Sequence, residues 1–519
     1  MSSRASGTGG CWLMRARIAA LVLTALLVAA CGTRLPDTAF VESQGSDSGA
    51  VIDQGSDGGF APGDDLGSTD GAPTVDPSGG SDGGGGSTTG GSGGSVTGGS
   101  NGSGGSGGST GGNAPAGPNQ ASDVGITAST ITLGTIVAEN GVLGDAFAPA
   151  ARGLRAWAAA INAKGGVGGR KVILKTCDDR EDRTRALECA RRLIEQDKVF
   201  ALVATNTRAF GGAAQYIDDK GVPVLGIPIS NSFYRYKHLW SGYPSGYVKD
   251  GKTVGFKGNI MSLSGGYRWF KQNLGVTKAA VFAYDIDESK QAGDFISKGL
   301  ELEGFQVSSY AVSFAAPSFD QAVADMQNKG IEIVFDAMDD GANRKLCDAM
   351  ERRKFSVKAK VSTIVSMGDS VGNDYNDTCR NSVYITGESL PYTATSIPAI
   401  AEFRAAFARY QPGQELHQWA LEAWAQAATV ADGIRSMGAA PTRKGLEDFF
   451  RGLRKYTAGG IMAGLEYVPI DYTKARNEDC FGISRWLDAK GGWVQATNKF
   501  PFCYADAHQY GTPALEQGN

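Results

Sequence analysis

The apolar positions of the chain follow two alternating periods. Residues 131–137 (ITLGTIV) are apolar on both faces, which predicts a buried strand, and 147–163 then repeat their apolar positions at helical spacing. The same reading gives a strand at 171–177, a helix at 183–196, a strand at 199–204, a short helix at 210–220 and a strand at 222–227. An irregular stretch interrupts the rhythm. It resumes with strands at 278–284, 305–312 and 331–336, and with helices at 291–303, 319–329 and 344–353. Helices at 397–410, 416–437 and 442–453 follow, and 461–504 reads as short strands and turns. Apolar strands alternating with amphipathic helices predict an α/β fold with parallel sheets covered by helices on both faces. Two such series separated by an irregular segment predict two lobes.

Composition changes the picture of the N-terminal part. The 519 residues include 74 glycines and carry a formal net charge of −4. Residues 32–120 hold 29 of those glycines and ten acids against one base, Arg34. Gly, Ser, Thr and Asp cannot bury enough apolar surface to offset ordering, so 31–121 is expected to be a disordered tether. Its root-mean-square reach would be on the order of 50 Å. The remainder, 121–519, holds 46 bases and 44 acids. A nearly neutral folded part argues against nucleic acid as a partner. Its length suffices for two domains.

The first thirty residues read as an export signal. Arg4, Arg15 and Arg17 precede an apolar run, 18–29, broken only by Thr24. Such a run is too short to cross a bilayer. It ends in Leu27-Val28-Ala29-Ala30-Cys31, which resembles the bacterial lipobox. That resemblance implies removal of 1–30 and lipidation of Cys31, which would hold the exported chain at the outer face of the bacterial cell membrane. The other cysteines agree with export. Cys177, Cys189, Cys347, Cys379, Cys480 and Cys503 allow 15 pairings. Sequence order and element placement favour Cys177–Cys189, Cys347–Cys379 and Cys480–Cys503. No C-x-x-C spacing is present, and a metal site is not expected.

Three segments carry a more specific likeness. They are 123–137 (DVGITASTITLGTIV), the phrase Asn162-Ala163-Lys164-Gly165-Gly166-Val167-Gly168-Gly169-Arg170-Lys171, and the pair Asp178-Asp179. Together they resemble the opening of the type 1 periplasmic-binding fold. More closely, they are similar to the branched-chain amino-acid (Leu/Ile/Val-binding) group of ABC-transporter solute-binding proteins. The element order extends the likeness over about 122–505. The resemblance implies a two-lobed clamshell with three interlobe crossings, near 255–260, 387–391 and 455–460. Lobe 1 is then expected to comprise 122–258 and 388–455, and lobe 2 to comprise 259–387 and 456–519.

Ligands of open α/β sheets sit outside the carboxyl ends of the strands. That rule points to Asn140 after the first strand, to Thr205, Asn206 and Thr207 after the third, and to Ile229, Ser230 and Asn231 after the fourth. In the second lobe it points to Tyr284, Asp285, Asp287, Asp339 and Ser366. Hydroxyls and backbone N–H groups at helix starts suit an anion, and the acids suit an amine or hydroxyls. The same residue types also cap helices and form turns. Two departures from the amino-acid-binding pattern stand out. The run Val203-Ala204-Thr205-Asn206-Thr207 replaces a Gly-x-x-Ser-Ser type loop. Val365, Ser366 and Met367 occupy the region where an acid would hold an α-ammonium. The expected ligand is therefore a small polar solute, an amino acid or a related compound.

Other features are weaker. Phe233, Tyr234, Tyr236, Trp240, Tyr243 and Tyr247 form an aromatic cluster that could stack on a ligand or pack a long loop. Residues 246–253 satisfy a phosphate-loop pattern but lie between no strand and helix. Three scattered histidines, His238, His417 and His508, support no catalytic triad, so neither an enzyme nor a cofactor is expected. The expected role is delivery of a solute to an ABC permease. Ligand sensing through a partner receptor is the alternative, and a secreted enzyme is a more distant one.

Overall fold

The structure is a computed structural model and describes residues 118–244, 249–467, 472–474 and 477–514. The export segment, Cys31, most of the tether and Tyr247 lie outside those residues. Among the described residues no helix is long and apolar enough to cross a membrane.

The chain opens with β1 (Thr130–Val137), α1 (Gly144–Ala163), β2 (Lys171–Asp178) and α2 (Arg183–Arg191), which runs on as a π turn over Arg192–Gln196. There follow β3 (Ala201–Val203), α3 (Gly211–Asp219), β4 (Val224–Gly226) and β5 (Leu239–Ser241). These strands form one parallel sheet in the order β2-β1-β3-β4-β5. The turn between α1 and β2 shows why the glycine-rich phrase is needed. Gly166 has φ +81°, and a Cβ there would run into the carbonyl of Arg170. Arg170 is itself buried, and its guanidinium donates to the carbonyls of Thr127 and Ala439.

The second half begins with β6 (Asn259–Leu263), α4 (Gly265–Leu274) and β7 (Lys278–Tyr284). Then come α5 (Asp287–Leu302), β8 (Gln306–Val312), α6 (Asp320–Lys329), β9 (Ile333–Ala337), α7 (Asp340–Arg352), β10 (Ala359–Ser362), α8 (Ser370–Asp374) and β11 (Val383–Gly387). The helices α9 (Pro398–Tyr410), α10 (Gln418–Ser436) and α11 (Arg443–Gly452) precede β12 (Asp479–Leu487), β13 (Gly492–Gln495), β14 (Phe502–Tyr504) and β15 (Gln509–Pro513). The second sheet runs β13-β12-β11-β10-β9-β7-β8. Its strands are parallel from β7 to β11, and β12 and β13 add antiparallel hairpin strands. β14 pairs with β12, while β15 pairs with β6 apart from the sheet.

This is the two-lobed α/β architecture that the alternating pattern predicts. The helices α9 and α10 return to the first lobe and pack on α1. Gly153 of α1 lets the backbone of Ala420 in α10 come close, and a Cβ would block that approach. Phe147 stacks on Trp419 across the same contact, with ring centroids 5.6 Å apart. Two of the segments that link the lobes pair with each other. Ala463 N–H donates to Glu388 O at 2.7 Å, and Leu390 N–H to Ile461 O at 2.9 Å.

The disulfides are Cys177–Cys189, Cys347–Cys379 and Cys480–Cys503. The first ties the end of β2 to α2, the second ties α7 to the approach of β11, and the third joins β12 to β14. Glu478 lies beside the third pair, but sulfurs bonded to each other offer no thiolate to a metal.

Candidate functional site

The carboxyl ends of the first sheet are tied together by acids at the end of β2 and just after it. Asp178 accepts from the backbone N–H groups of Glu139 and Arg180, both at 3.0 Å, and from the Asn140 side chain at 2.6 Å. Burial works to raise its pKa, but these donors, with the Asn140 N–H, outweigh it and the net shift is downward. Asp179 is buried and accepts from the Thr207 hydroxyl at 3.1 Å and from Glu181 N–H. Burial pushes it up to about 6 in spite of those donors. Glu181 accepts from Arg208 at 2.6 Å and also from Leu143 N–H. The acidic pair of the sequence motif thus braces the loops after β1 and β3.

The second lobe is braced from inside. Lys360 on β10 and Asp336 on β9 are both fully buried and form an ion pair at 2.9 Å. Lys360 also donates to Asn343 at 2.7 Å and to Ser362 at 2.6 Å. Asn343 donates to Asp336 and to the Ser366 hydroxyl. This network fixes the loop after β10, residues 363–366.

Two cavities flank that loop. The larger, about 530 Å³, is lined from the first lobe by Val142, Asp145, Pro149 and Arg152 around the start of α1. From the other side it is lined by Asp339, Asp340, Arg344, Val365, Ser370 and Asp374, with Glu415 and His417 from the turn before α10. The smaller, about 250 Å³, lies against Tyr243, Tyr267, Phe335, Ser362, Thr363 and Thr386. His417 supplies no charge to the larger cavity. Its Nδ1 accepts from Trp419 N–H and its Nε2 faces Val365 O, so both ring nitrogens are committed in the neutral form. Burial lowers its pKa to about 4, with a smaller contribution from Arg152.

The strand-end residues fall into distinct environments. Asp339 lines the larger cavity, accepts from Ala342 N–H at the start of α7, and bonds the Tyr284 hydroxyl. Tyr284 is buried, and Ser366 is buried against Asn343. Asp285 is exposed and accepts from Phe314 N–H at 2.8 Å, while Asp287 is exposed in the first turn of α5. Asn140 is exposed and held by Asp178. Thr205, Asn206 and Thr207 are buried, and Thr205 Oγ1 and Asn206 Oδ1 have no hydrogen-bond partner among the described residues. Ile229 packs on the core, and Ser230 bonds Ser232. Asn231 reaches across to Gln291 of α5 at 2.8 Å, and Arg208 lies over the Phe314 ring at 5.9 Å. These two contacts join the lobes.

The strand-end rule does not point to Arg152, Arg344, Asp374 or Glu415. They reach the larger cavity from inside helices or from a helix–helix turn, where sequence periodicity marks them only as polar positions. The aromatic cluster divides. Phe233 stacks on Phe210 at 5.1 Å, and Trp240 packs on Phe450 and Tyr467, so both serve the first lobe's interior. Tyr243 lines the smaller cavity and donates to buried Glu422 at 2.6 Å.

Two lobes built on largely parallel sheets, with a charged cavity at their strand ends, form a clamshell. The sequence profile of the periplasmic binding protein family matches residues 130–509, and the chain belongs to that family. Solved structures share the fold. A leucine-binding protein from Thermotoga maritima has TM-score 0.56 and 14% identity, over 70% of this chain and 97% of that one. A fatty acid ABC transporter substrate-binding protein from Thermomonospora curvata has TM-score 0.58 and 15% identity, over 73% and 95%. An ABC transporter solute-binding protein from Rhodopseudomonas palustris, in complex with 3,4-dihydroxy benzoic acid, has TM-score 0.55 and 15% identity, over 73% and 97%. At such identities the likeness is one of fold. No curated protein matches the chain.

Proposed function

We propose that this protein is an extracytoplasmic solute-binding protein that captures a small polar solute between its lobes and passes it to an ABC permease. The observation that carries this reading is the cavity of about 530 Å³ lined by charged side chains from both lobes. Family membership supports an extracytoplasmic location. The lipobox-like run ending at Cys31 supports lipid anchoring, with 32–121 as the tether. Closure is a hinge motion in the linking segments. The ligand biases it by binding the closed form better. Asn231–Gln291 and Arg208–Phe314 are contacts that opening would break.

The test is a thermal-shift screen of the full chain against amino acids, amides, short-chain acids and sugars. A ligand present at about 100 times its Kd should contribute roughly 2.7 kcal/mol of stability. If nothing in the panel raises the midpoint, solute capture fails. Anchoring is tested separately, by palmitate labelling of the wild type and Cys31→Ala. Undiminished labelling of the variant would rule it out.

A further inference from the structure

The walls of the larger cavity carry five carboxylates, Asp145, Asp339, Asp340, Asp374 and Glu415, against two guanidiniums, Arg152 and Arg344. Most of these groups have partners within the protein. Arg344 lies 3.4 Å from Asp374 and 3.9 Å from Asp340. Asp340 also accepts from the Tyr375 hydroxyl, Glu415 from Ser370 N–H, and Asp339 from Ala342 N–H. Asp145 and Arg152 make no hydrogen bond or ion pair among the described residues, but Asp145 is exposed, whereas Arg152 is half-buried in the third turn of α1. Its neighbour His417 is neutral with both nitrogens committed, so it offers no counter-charge. A guanidinium has five donors in a fixed fork and no acceptor. Placed in a part-buried wall without a partner, it favours a planar anion delivered by something else.

We propose that Arg152 is the anion-recognition residue of this cavity. It takes the carboxylate of the solute, and Asp339 and Asp340, on the other lobe, take an ammonium. This assignment rests on the solute-binding reading above and names its substrate class. Charge sharpens that class. With His417 neutral, the walls formally carry −3, so a simple carboxylate meets a repulsive field even with Arg152 present. A carboxylate is welcome only on a molecule that also brings positive charge. The class favoured is an amino-carboxylate with a second cationic group, ahead of a neutral zwitterion, a diamine or a simple acid.

The experiment is calorimetric titration of the full-length protein at low salt with L-lysine, L-leucine, cadaverine and benzoate. The wild type should prefer L-lysine. Arg152→Gln should weaken L-lysine roughly 10- to 100-fold, as expected for loss of a charged hydrogen bond, and should not weaken cadaverine, which loses no partner and meets a more negative wall. Arg152→Lys keeps the charge without the fork and should fall between the two. It also carries the test if Arg152→Gln fails to fold. Equal L-lysine affinity in wild type and both variants would overturn the role of Arg152. Preference for L-leucine, cadaverine or benzoate over L-lysine would overturn the class. If an uncharged solute from the wider panel binds, and Arg152→Gln does not affect it, this assignment fails while solute capture stands. If nothing in that panel binds, solute capture itself fails.

Discussion

The two lobes hold their strand-end loops in opposite ways. In the first lobe, acids at the end of β2 and just after it accept N–H and hydroxyl donors from neighbouring loops, and Asp178 keeps part of its side chain in solvent. In the second, a buried lysine and aspartate anchor the loop after β10 from within. A carboxylate near solvent, such as Asp178, can be lost and leave local damage. A buried ion pair cannot lose one member without stranding the other charge. The first design leaves loops that can adjust, and the second makes a fixed wall.

Breaking the buried pair should have the largest effect. Lys360→Met strands Asp336 and should cost roughly 3–5 kcal/mol in urea denaturation. Adding Asp336→Leu should restore much of that loss. A double variant no more stable than the single one would show that packing, and not the pair, holds this wall.

Disulfides compare the lobes more finely. Cys347–Cys379 closes a sequence separation of 32 and Cys177–Cys189 one of 12. Chain entropy then assigns about 4 kcal/mol to the first and about 3 to the second. Paired Cys→Ala replacements, measured by thermal denaturation, should rank in that order.

Glu422 ties α10 to a linking segment. It is buried on α10 and accepts from Ser389, in a linking segment, at 2.6 Å and from Tyr243 at 2.6 Å. Burial pushes its pKa up to about 7 from an ordinary 4.5, against the pull of those two donors. Below about 4.5 both folded and unfolded states hold the proton. Between 4.5 and about 7 only the folded state holds it, so stability falls as pH rises, by on the order of 3 kcal/mol. Glu422→Gln should flatten that slope. An unchanged slope would mean that the carboxyl is ionised in the fold.

Asp178→Ala should have the smallest effect, about 1–2 kcal/mol, from lost hydrogen bonds. Hydrogen exchange should speed up at 139–143 and stay unchanged in β9 and β10. A global increase would erase the contrast between the lobes.

Much of this architecture is legible in the chain. The limits of β7 match the apolar run 278–284, because a strand buried on both faces cannot hide its composition. The glycine-rich phrase before β2 is legible because its turn needs positive φ. Other elements left no clear trace. β10 has only four residues, and Lys360 within it reads as polar although it is fully buried. α4 is masked by an irregular, glycine-bearing stretch. Asp339 is legible as a strand-end acid. Arg152 is not, because helical periodicity makes it one more polar position on α1.

By itself, then, the sequence determined the order of strands and helices, the near-neutral folded part and the two-lobed class. These follow from local periodicity, composition and turn chemistry. Tertiary structure alone decided which charges have partners and which faces a cavity without one. That depends on groups far apart in the chain, such as Arg152, Asp340 and Glu415, meeting across the lobes, and no local pattern encodes such a meeting.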